Sequence, residues 1–268
     1  MNGTTGSAQV LDAQGRPLSP CPLEKARKLL ERGEAVLVNE EPFTIQLRYS
    51  VERSAATVAR ASEPALPERG ARVLLHICCG PCGTYPISWL QERGYAVTGL
   101  WYNPNIHPWL EHEKRRASAE SYAAEVGIDV LWAESYEMPR FFRLVAGHER
   151  FRERCLLCYR LRLERTAHTA AQREFDAFST TLLISPHQDQ QAIRSIGESI
   201  SRQTGIPFLF ENFRRGWAER NRLTREHDLY CQQYCGCIYS EWERFNKQPI
   251  DVLLDEVTWI RSQGETGE

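Results

Sequence analysis

Residues 72–101, RVLLHICCGPCGTYPISWLQERGYAVTGLW, decide the fold of this chain. RVLLHI is a short, almost wholly apolar run, as expected of a strand buried on both faces of a parallel sheet. TYPISWLQERG predicts a helix that closes on Gly94, and YAVTGLWY predicts the next strand. A strand, a helix and a second strand in this order indicate a right-handed βαβ unit.

The same alternation continues toward the C-terminus. WLEHEKRRASAESYAAEVG (109–127) predicts a long helix, IDVLWA (128–133) a third strand, and FDAFSTTLLI (175–184) a fourth strand after a helical region over 137–172. A helix over 190–204 and a short strand, PFLF (207–210), come next. We therefore predict an α/β protein with a doubly wound, mostly parallel sheet, whose ligands bind at the carboxyl ends of its strands.

Residues 1–52 are predicted to form a small, separate α+β unit. VLDAQGRPLSP contains a short strand and a turn, PLEKARKLLERG an amphipathic helix, and EAVLVNEEPFTIQLRYSV two strands. Residues 53–70 are rich in Ala, Ser and Pro and predict a linker, which leaves 71–268 as the main domain.

Composition and charge narrow the classes of function. No apolar run approaches the roughly 18–20 residues that a membrane span needs, and the N-terminus lacks the features of a secretory signal. We therefore expect a cytoplasmic protein that does not bind membranes. The formal net charge of −2 confines any nucleic-acid surface to local basic patches, for which the candidates are residues 114–116, 140–165 and 214–225.

Cysteines are the most unusual feature of the sequence. Nine are many for a cytosolic protein, where clustered thiols indicate metal binding or redox chemistry before structural disulfides. Cys21 stands alone. The other cysteines form three clusters: Cys78, Cys79 and Cys82; Cys155 and Cys158; Cys231, Cys235 and Cys237.

Two of the clusters together predict a metal site. HICCGPCG joins the first strand of the main domain to a helix, and the N-terminus of that helix favours the thiolate form of Cys78 and Cys79. With Cys155 and Cys158 they supply four thiolates, the number that suits a [4Fe–4S] cluster or a zinc ion. Adjacent side chains diverge, which suits one tetrahedral zinc poorly and favours iron–sulfur; zinc stays the alternative.

Two loops are candidates for redox chemistry and substrate binding beside the predicted metal site. A disulfide across Cys235-Gly236-Cys237 is strained and easily reduced, which suits a redox couple, with metal binding as the main competitor. YNPNIHP (102–108) follows the second strand with a turn-rich path. Its polar side chains are the candidates for substrate binding, with a purely structural loop as the alternative: Tyr102, Asn103, Asn105 and His107.

Five motifs resemble the epoxyqueuosine reductases of the QueH type over roughly residues 72–245. They are LLHICCGPC, YNPNIHP, CLLCYRLRLERTA, FDAFSTTLLISPHQ and YCQQYCGCIYS, in this order. The resemblance implies a fold related to the adenine-nucleotide α-hydrolases. It also implies reduction of epoxyqueuosine to queuosine in tRNA, in which the epoxide oxygen leaves as water.

The same resemblance implies roles for six cysteines. Cys78, Cys79, Cys155 and Cys158 match the positions that hold a [4Fe–4S] cluster, and Cys235 and Cys237 match a redox-active disulfide. The implied partners are tRNA with a queuosine-type anticodon loop and an electron donor. Cys21, Cys82 and Cys231 receive no role.

The N-terminal unit resembles a different family. VLDAQGRPLSPC and ARKLLERGEAVLVNEEPFTIQL are similar to the small PLMP or RRXRR domain of IscB-like proteins. The motif is PLSP in place of PLMP, and glutamates stand where arginines are typical, which weakens the case for RNA binding by this unit.

Two functions remain as alternatives to a reductase. One is a zinc-stabilised RNA-binding module without catalysis. The other is a tRNA sulfur-transfer enzyme, although the first strand of the main domain lacks the SGGxDS-type ATP loop and carries Cys78 and Cys79 instead.

Overall fold

Contacts divide the chain into two units, Met1–Glu63 and Pro64–Glu268. The computed structural model describes residues 7–48, 67–247 and Ile250. Most of the predicted linker, 53–70, lies outside these residues.

The first unit is a four-stranded sheet with one helix packed on it. Its elements are β1 (Ser7–Leu11), β2 (Pro17–Pro22), α1 (Leu23–Glu31), β3 (Ala35–Glu40) and β4 (Phe43–Leu47). The strand order is β2-β1-β4-β3, with β1 and β4 parallel and the other pairs antiparallel. Strand β2 was not predicted. It pairs with β1 through residues that follow the turn at Asp12–Gly15.

The second unit alternates strands and helices as the sequence predicts. Its strands are β5 (Arg72–His76), β6 (Ala96–Trp101), β7 (Val130–Trp132) and β8 (Ala177–Thr180). The helices are α2 (Gly80–Glu92), α3 (Trp109–Glu125), α4 (Met138–Val145), α5 (Glu153–Gln172), α6 (Gln190–Thr204), α7 (Trp217–Glu226) and α8 (Ile238–Asn246).

The sheet of the second unit is parallel and is buried on both faces. Its order is β7-β6-β5-β8. Successive side chains of a strand point to opposite faces, so Leu74 packs with residues of α5 and α6, whereas Val73 and Leu75 pack with residues of α2 and α3. This arrangement confirms the doubly wound α/β prediction. The first strand, β5, is central, and the chain passes to β6 on one side and to β8 on the other, so its carboxyl end lies at the switch point where α/β proteins bind ligands.

The fourth strand is shorter than predicted. It ends at Thr180 because the Thr180 hydroxyl accepts the Leu182 N–H at 3.2 Å and turns the chain into a 3₁₀ helix over Thr181–Ile184. PFLF was also predicted as a strand, but only Phe208 forms a bridge, to Phe178. The prediction of strand for residues 181–184 was wrong, and those residues instead place Thr181 beside β5.

The predicted helical region over 137–172 is two helices. Gly147 has φ +81° and Arg152 has φ +75°, values that interrupt a right-handed helix between α4 and α5. The break leaves Phe151 and Arg152 beside the N-terminus of α5. In residues 7–48 and 67–247, no helix is long and apolar enough to cross a membrane.

Candidate functional site

Three thiols meet where β5 is followed by the first turn of α2. Cys79 is the N-cap of α2, and its sulfur accepts the Cys82 N–H at 3.3 Å. Gly80 is required by close approach to α3, because a Cβ there would lie 2.5 Å from the Ser118 Oγ. The sulfur atoms of Cys78, Cys79 and Cys82 all lie within 4.8 Å of one another. We call these three residues the thiol triad.

Hydrogen bonds favour a thiolate at one position of the thiol triad. The Thr181 hydroxyl donates to Cys78 Sγ at 3.2 Å and accepts the Cys78 N–H at 3.0 Å. Hydrogen bonds from the Cys79 and Cys82 thiols, with Thr181, hold the pKa of Cys78 well below its usual range. Burial raises the pKa of Cys79, and the hydrogen bond to Cys78 raises that of Cys82 to about 12. A metal bound here would displace the remaining protons.

A glutamine from the C-terminal loop also reaches the thiol triad. The Gln232 Nε2 donates to Cys79 Sγ at 3.0 Å and lies 3.6 Å from Cys82 Sγ. The Gln232 Oε1 is buried and has no hydrogen-bond partner. Amide donors of this kind stabilise negative charge on sulfur, whether the sulfur is a free thiolate or a metal ligand.

A second group of cysteines surrounds an open cavity of about 480 Å³. Cys155 at the start of α5 lines it together with Cys235 and Cys237, and we call these three the cavity cysteines. The Gln188 Nε2 donates to Cys235 Sγ at 3.3 Å. Burial raises the pKa of Cys155 to about 11. Phe151 lies at the cavity wall and is 57% exposed. All nine cysteines are unbridged.

The loop that carries Cys235, Gly236 and Cys237, which we call the CxC loop, is held by hydrogen bonds from the YNPNIHP loop and from α3. The His107 N–H donates to the Gly236 carbonyl at 2.8 Å, and Arg115 donates to the Cys235 carbonyl at 2.8 Å. Gly236 has φ +148°, and a Cβ at this position would lie 3.2 Å from the Asn105 Nδ2. Glycine therefore allows both the backbone conformation and the close packing that hold Cys235 and Cys237 at the cavity.

The predicted substrate-binding residues are all buried, and most of their polar atoms are used within the protein. Asn103 donates to the Ile77 carbonyl at 2.8 Å, and the Tyr102 hydroxyl donates to Glu137 at 2.9 Å. The His107 ring bonds the Pro104 carbonyl at 3.1 Å, and burial lowers its pKa to about 4. The Asn105 Oδ1 is buried without a partner. These contacts support the loop, and substrate binding by its side chains stays a prediction.

The structure brings two of the four predicted metal ligands together and places a third thiol beside them. Cys78 and Cys79 are adjacent in the thiol triad, and Cys82, which had no predicted role, completes it. Cys155 and Cys158 lie on α5 beside the CxC loop, and burial raises the pKa of Cys158 to about 12. Thiols from both parts of the site affect one arginine, Arg162. Burial opposes its charged form, but Cys158, Cys235 and Cys78 raise its pKa.

Sequence reasoning missed the groups that support these sulfurs. Thr181 and Gln232 are ordinary residue types, and only the fold brings them to the thiol triad from about 100 and 150 residues away. A signal for Thr181 existed, since it directly follows a strand that neighbours β5. The buried His76 ring bonds Thr180 at 2.9 Å and thereby ties the ends of β5 and β8.

Comparisons with known proteins show the family of this chain. The model of the family "Epoxyqueuosine reductase QueH" matches residues 73–243, and that of RRXRR proteins matches residues 8–64, which bears out the N-terminal resemblance. An epoxyqueuosine reductase QueH of Dehalococcoides mccartyi is 40% identical over 176 residues, which cover 66% of this chain and 96% of the relative. One from Thermotoga maritima is 37% identical over 182 residues, covering 65% and 93%.

A solved structure also resembles the chain. It is a predicted subunit of tRNA methyltransferase from Methanocaldococcus jannaschii, with a TM-score of 0.41 and 15% identity, covering 58% of this chain and 75% of that protein. The family match spans β5 to α8, and so includes the thiol triad and the cavity cysteines. The chain belongs to the QueH family of epoxyqueuosine reductases.

Proposed function

We propose that this protein reduces epoxyqueuosine in tRNA to queuosine, acting in the cytoplasm. The observation that carries the proposal is the convergence of thiols at one end of a parallel sheet in a chain of this family. The thiol triad begins where β5 ends, and the cavity cysteines lie beside it on α5 and the CxC loop. This is the end of the sheet at which α/β proteins bind their ligands.

The donor set fits a metal–thiolate group. Three sulfurs lie within 4.8 Å of one another, and hydrogen bonds already favour the thiolate form of one of them. We assign Cys78, Cys79, Cys155 and Cys158 as the ligands of a [4Fe–4S] cluster, with Cys82 as the competing ligand. Such a cluster supplies electrons one at a time and responds to hydrogen bonds on its sulfurs.

The CxC pair balances the proposed reaction. Removal of the epoxide oxygen as water consumes two electrons and two protons and leaves a carbon–carbon double bond. Oxidation of the Cys235 and Cys237 thiols to a disulfide releases the same electrons and protons. The products are then queuosine, water and the disulfide, which an external electron donor must reduce before the next turnover.

The cavity suits a nucleobase that has been extruded from the stack of neighbouring bases. Enzymes that act on a nucleobase usually extrude it into a pocket, and the anticodon loop of tRNA is already single-stranded. Phe151 offers an exposed ring at the wall of the cavity of about 480 Å³, and aromatic rings are common stacking surfaces for such bases. Tyr159 lines the same cavity.

The direct test uses tRNA from cells that accumulate epoxyqueuosine. Anaerobically purified, reduced protein is incubated with this tRNA, and the nucleosides are analysed by mass spectrometry. We expect the modified nucleoside to lose one oxygen atom. An unchanged mass with iron and sulfide present would refute the proposal. Zinc as the only bound metal would favour the non-catalytic RNA-binding alternative.

A further inference from the structure

Arg162 is a buried cation for which the described residues supply no acidic partner. It lies on α5, is 2% exposed, and donates from Nε to the Cys158 carbonyl at 3.2 Å. One of its terminal nitrogens is buried and has no hydrogen-bond partner. Among the residues that the structure describes, no Asp or Glu forms an ion pair with Arg162, whereas Arg160 on the same helix pairs with Glu164 at 3.1 Å.

The groups whose ionisation would compensate this charge are sulfurs. Burial opposes the charged form of Arg162, but attraction to the thiols of Cys158, Cys235 and Cys78 raises its pKa. Cys158 lies with Cys155 on α5, Cys235 lies in the CxC loop, and Cys78 belongs to the thiol triad. Arg162 therefore interacts with all three parts of the site.

Two other buried arginines near the cysteines have carboxylate partners, whereas Arg220, like Arg162, has none among the described residues and lies 4.0 Å from the Cys231 sulfur. Arg115 is 1% exposed and pairs with Glu111 at 2.7 Å, and Arg154 is 2% exposed and pairs with Glu243. A buried cation that lacks such a carboxylate is costly unless another anion lies beside it. A cluster held by four thiolates carries net negative charge and supplies that anion.

We infer that Arg162 is a positioning residue that neutralises part of the negative charge of the thiolate-bound cluster and raises its reduction potential. The inference rests on the proposed function. A fixed positive charge favours whichever form of a redox centre has one more electron, because that form is the more negative. Arg162 thus makes the site easier to reduce while its own guanidinium stays charged.

The test is the midpoint potential of the full-length protein reconstituted anaerobically with iron and sulfide. Arg162→Met removes the charge and keeps most of the side-chain length, and Arg162→Lys keeps the charge. We expect Arg162→Met to shift the equilibrium between oxidised and reduced forms at least tenfold toward the oxidised form, about 59 mV for one electron. Arg162→Lys should recover most of this shift. Arg160→Met is the matched control on the same helix and should leave the potential unchanged, because Arg160 is exposed.

Iron and sulfide content, with circular dichroism, shows whether each variant is folded and loaded. An unchanged potential in a loaded Arg162→Met protein would overturn the inference, as would equal shifts in the Met and Lys variants. Loss of iron from the Met variant but not the Lys variant also supports a role for the charge, and loss from both overturns it. Failure of the proposed function is separate, because it shows as no oxygen loss with wild-type protein.

Discussion

The thiol triad and the cavity cysteines lie in the same unit but differ in packing and hydrogen bonding. Cys79 and Cys82 are buried, and the three sulfurs of the triad are within 4.8 Å of one another. Thr181 and Gln232 donate to sulfurs of the triad. The cavity cysteines instead line a space of about 480 Å³, and Gln188 donates to one of them, Cys235.

We propose that this difference reflects a division of labour. A compact, hydrogen-bonded set of sulfurs is suited to hold a metal, because its ligands are already close and their negative charge is stabilised. Of the sulfurs at the cavity wall, those of Cys235 and Cys237 are suited to react with a molecule that enters the cavity, whereas we assign Cys155 to the cluster. Four predictions test this contrast, and they follow in order of expected effect.

Loss of a triad sulfur should have the largest effect. Cys78→Ala removes the thiol whose pKa is most strongly lowered, so we expect iron and acid-labile sulfide to fall to background and turnover to disappear. Metal analysis and the nucleoside assay measure both. Cys21→Ala is the matched control, because Cys21 lies in the first unit, and it should retain both. Full activity in Cys78→Ala protein would contradict the assignment.

Replacement of the CxC sulfurs should separate metal binding from turnover. Cys235→Ser and Cys237→Ser should retain wild-type iron content, whereas turnover should fall to background, because a serine at either position cannot form the disulfide that supplies the two electrons. Cys231→Ser is the control nearby in sequence and should retain activity. Loss of iron from either CxC variant would assign these sulfurs to the metal and remove the distinction between the two groups.

Thr181→Val should weaken the triad without removing a sulfur. Valine matches the shape of threonine but ends the hydrogen bond to Cys78 Sγ and leaves the Cys78 N–H without its acceptor. We expect about 10- to 100-fold weaker metal retention, as for other groups that support a ligand. Competition with an iron chelator measures this loss. Thr169→Val, whose hydroxyl bonds only the Arg165 carbonyl on α5, should behave as wild type.

Phe151→Ala should affect the cavity alone and give the smallest change. If Phe151 stacks on the base, KM for tRNA should rise about tenfold with little change in kcat, since a stacked base contributes about 1–3 kcal/mol. Phe245→Ala is a closely matched control, because both phenylalanines are 57% exposed and Phe245 does not line the cavity. Equal KM changes in the two variants would indicate that Phe151 has no specific role.

The doubly wound sheet could be predicted from the sequence because each of its strands is a short apolar run. Such a run can be recognised without knowing which distant residues it contacts. Local sequence signals also predicted the end of the helix before Gly94 and placed the cysteines directly after β5. These signals gave the position of Cys78 and Cys79 at the switch point of the sheet.

Local rules could not give the contacts that complete the site. Thr181 reaches Cys78 only because β8 pairs with β5, a contact across about 100 residues. Residues 181–184 are mostly apolar and therefore favour a strand. The Thr180 hydroxyl instead accepts the Leu182 N–H, and this hydrogen bond turns the chain into a 3₁₀ helix. Arg162 appeared in the sequence as part of a basic patch, and only the packing of α5 shows that it is buried.

Anomalous diffraction at the iron absorption edge, measured on anaerobic crystals of the reconstituted protein, tests the division between the two groups most directly. We expect iron bonded to the sulfurs of Cys78 and Cys79, and to those of Cys155 and Cys158 rather than Cys82. We also expect no iron bonded to Cys235 or Cys237. Iron bonded to the CxC sulfurs, with none at Cys78 and Cys79, would contradict this division.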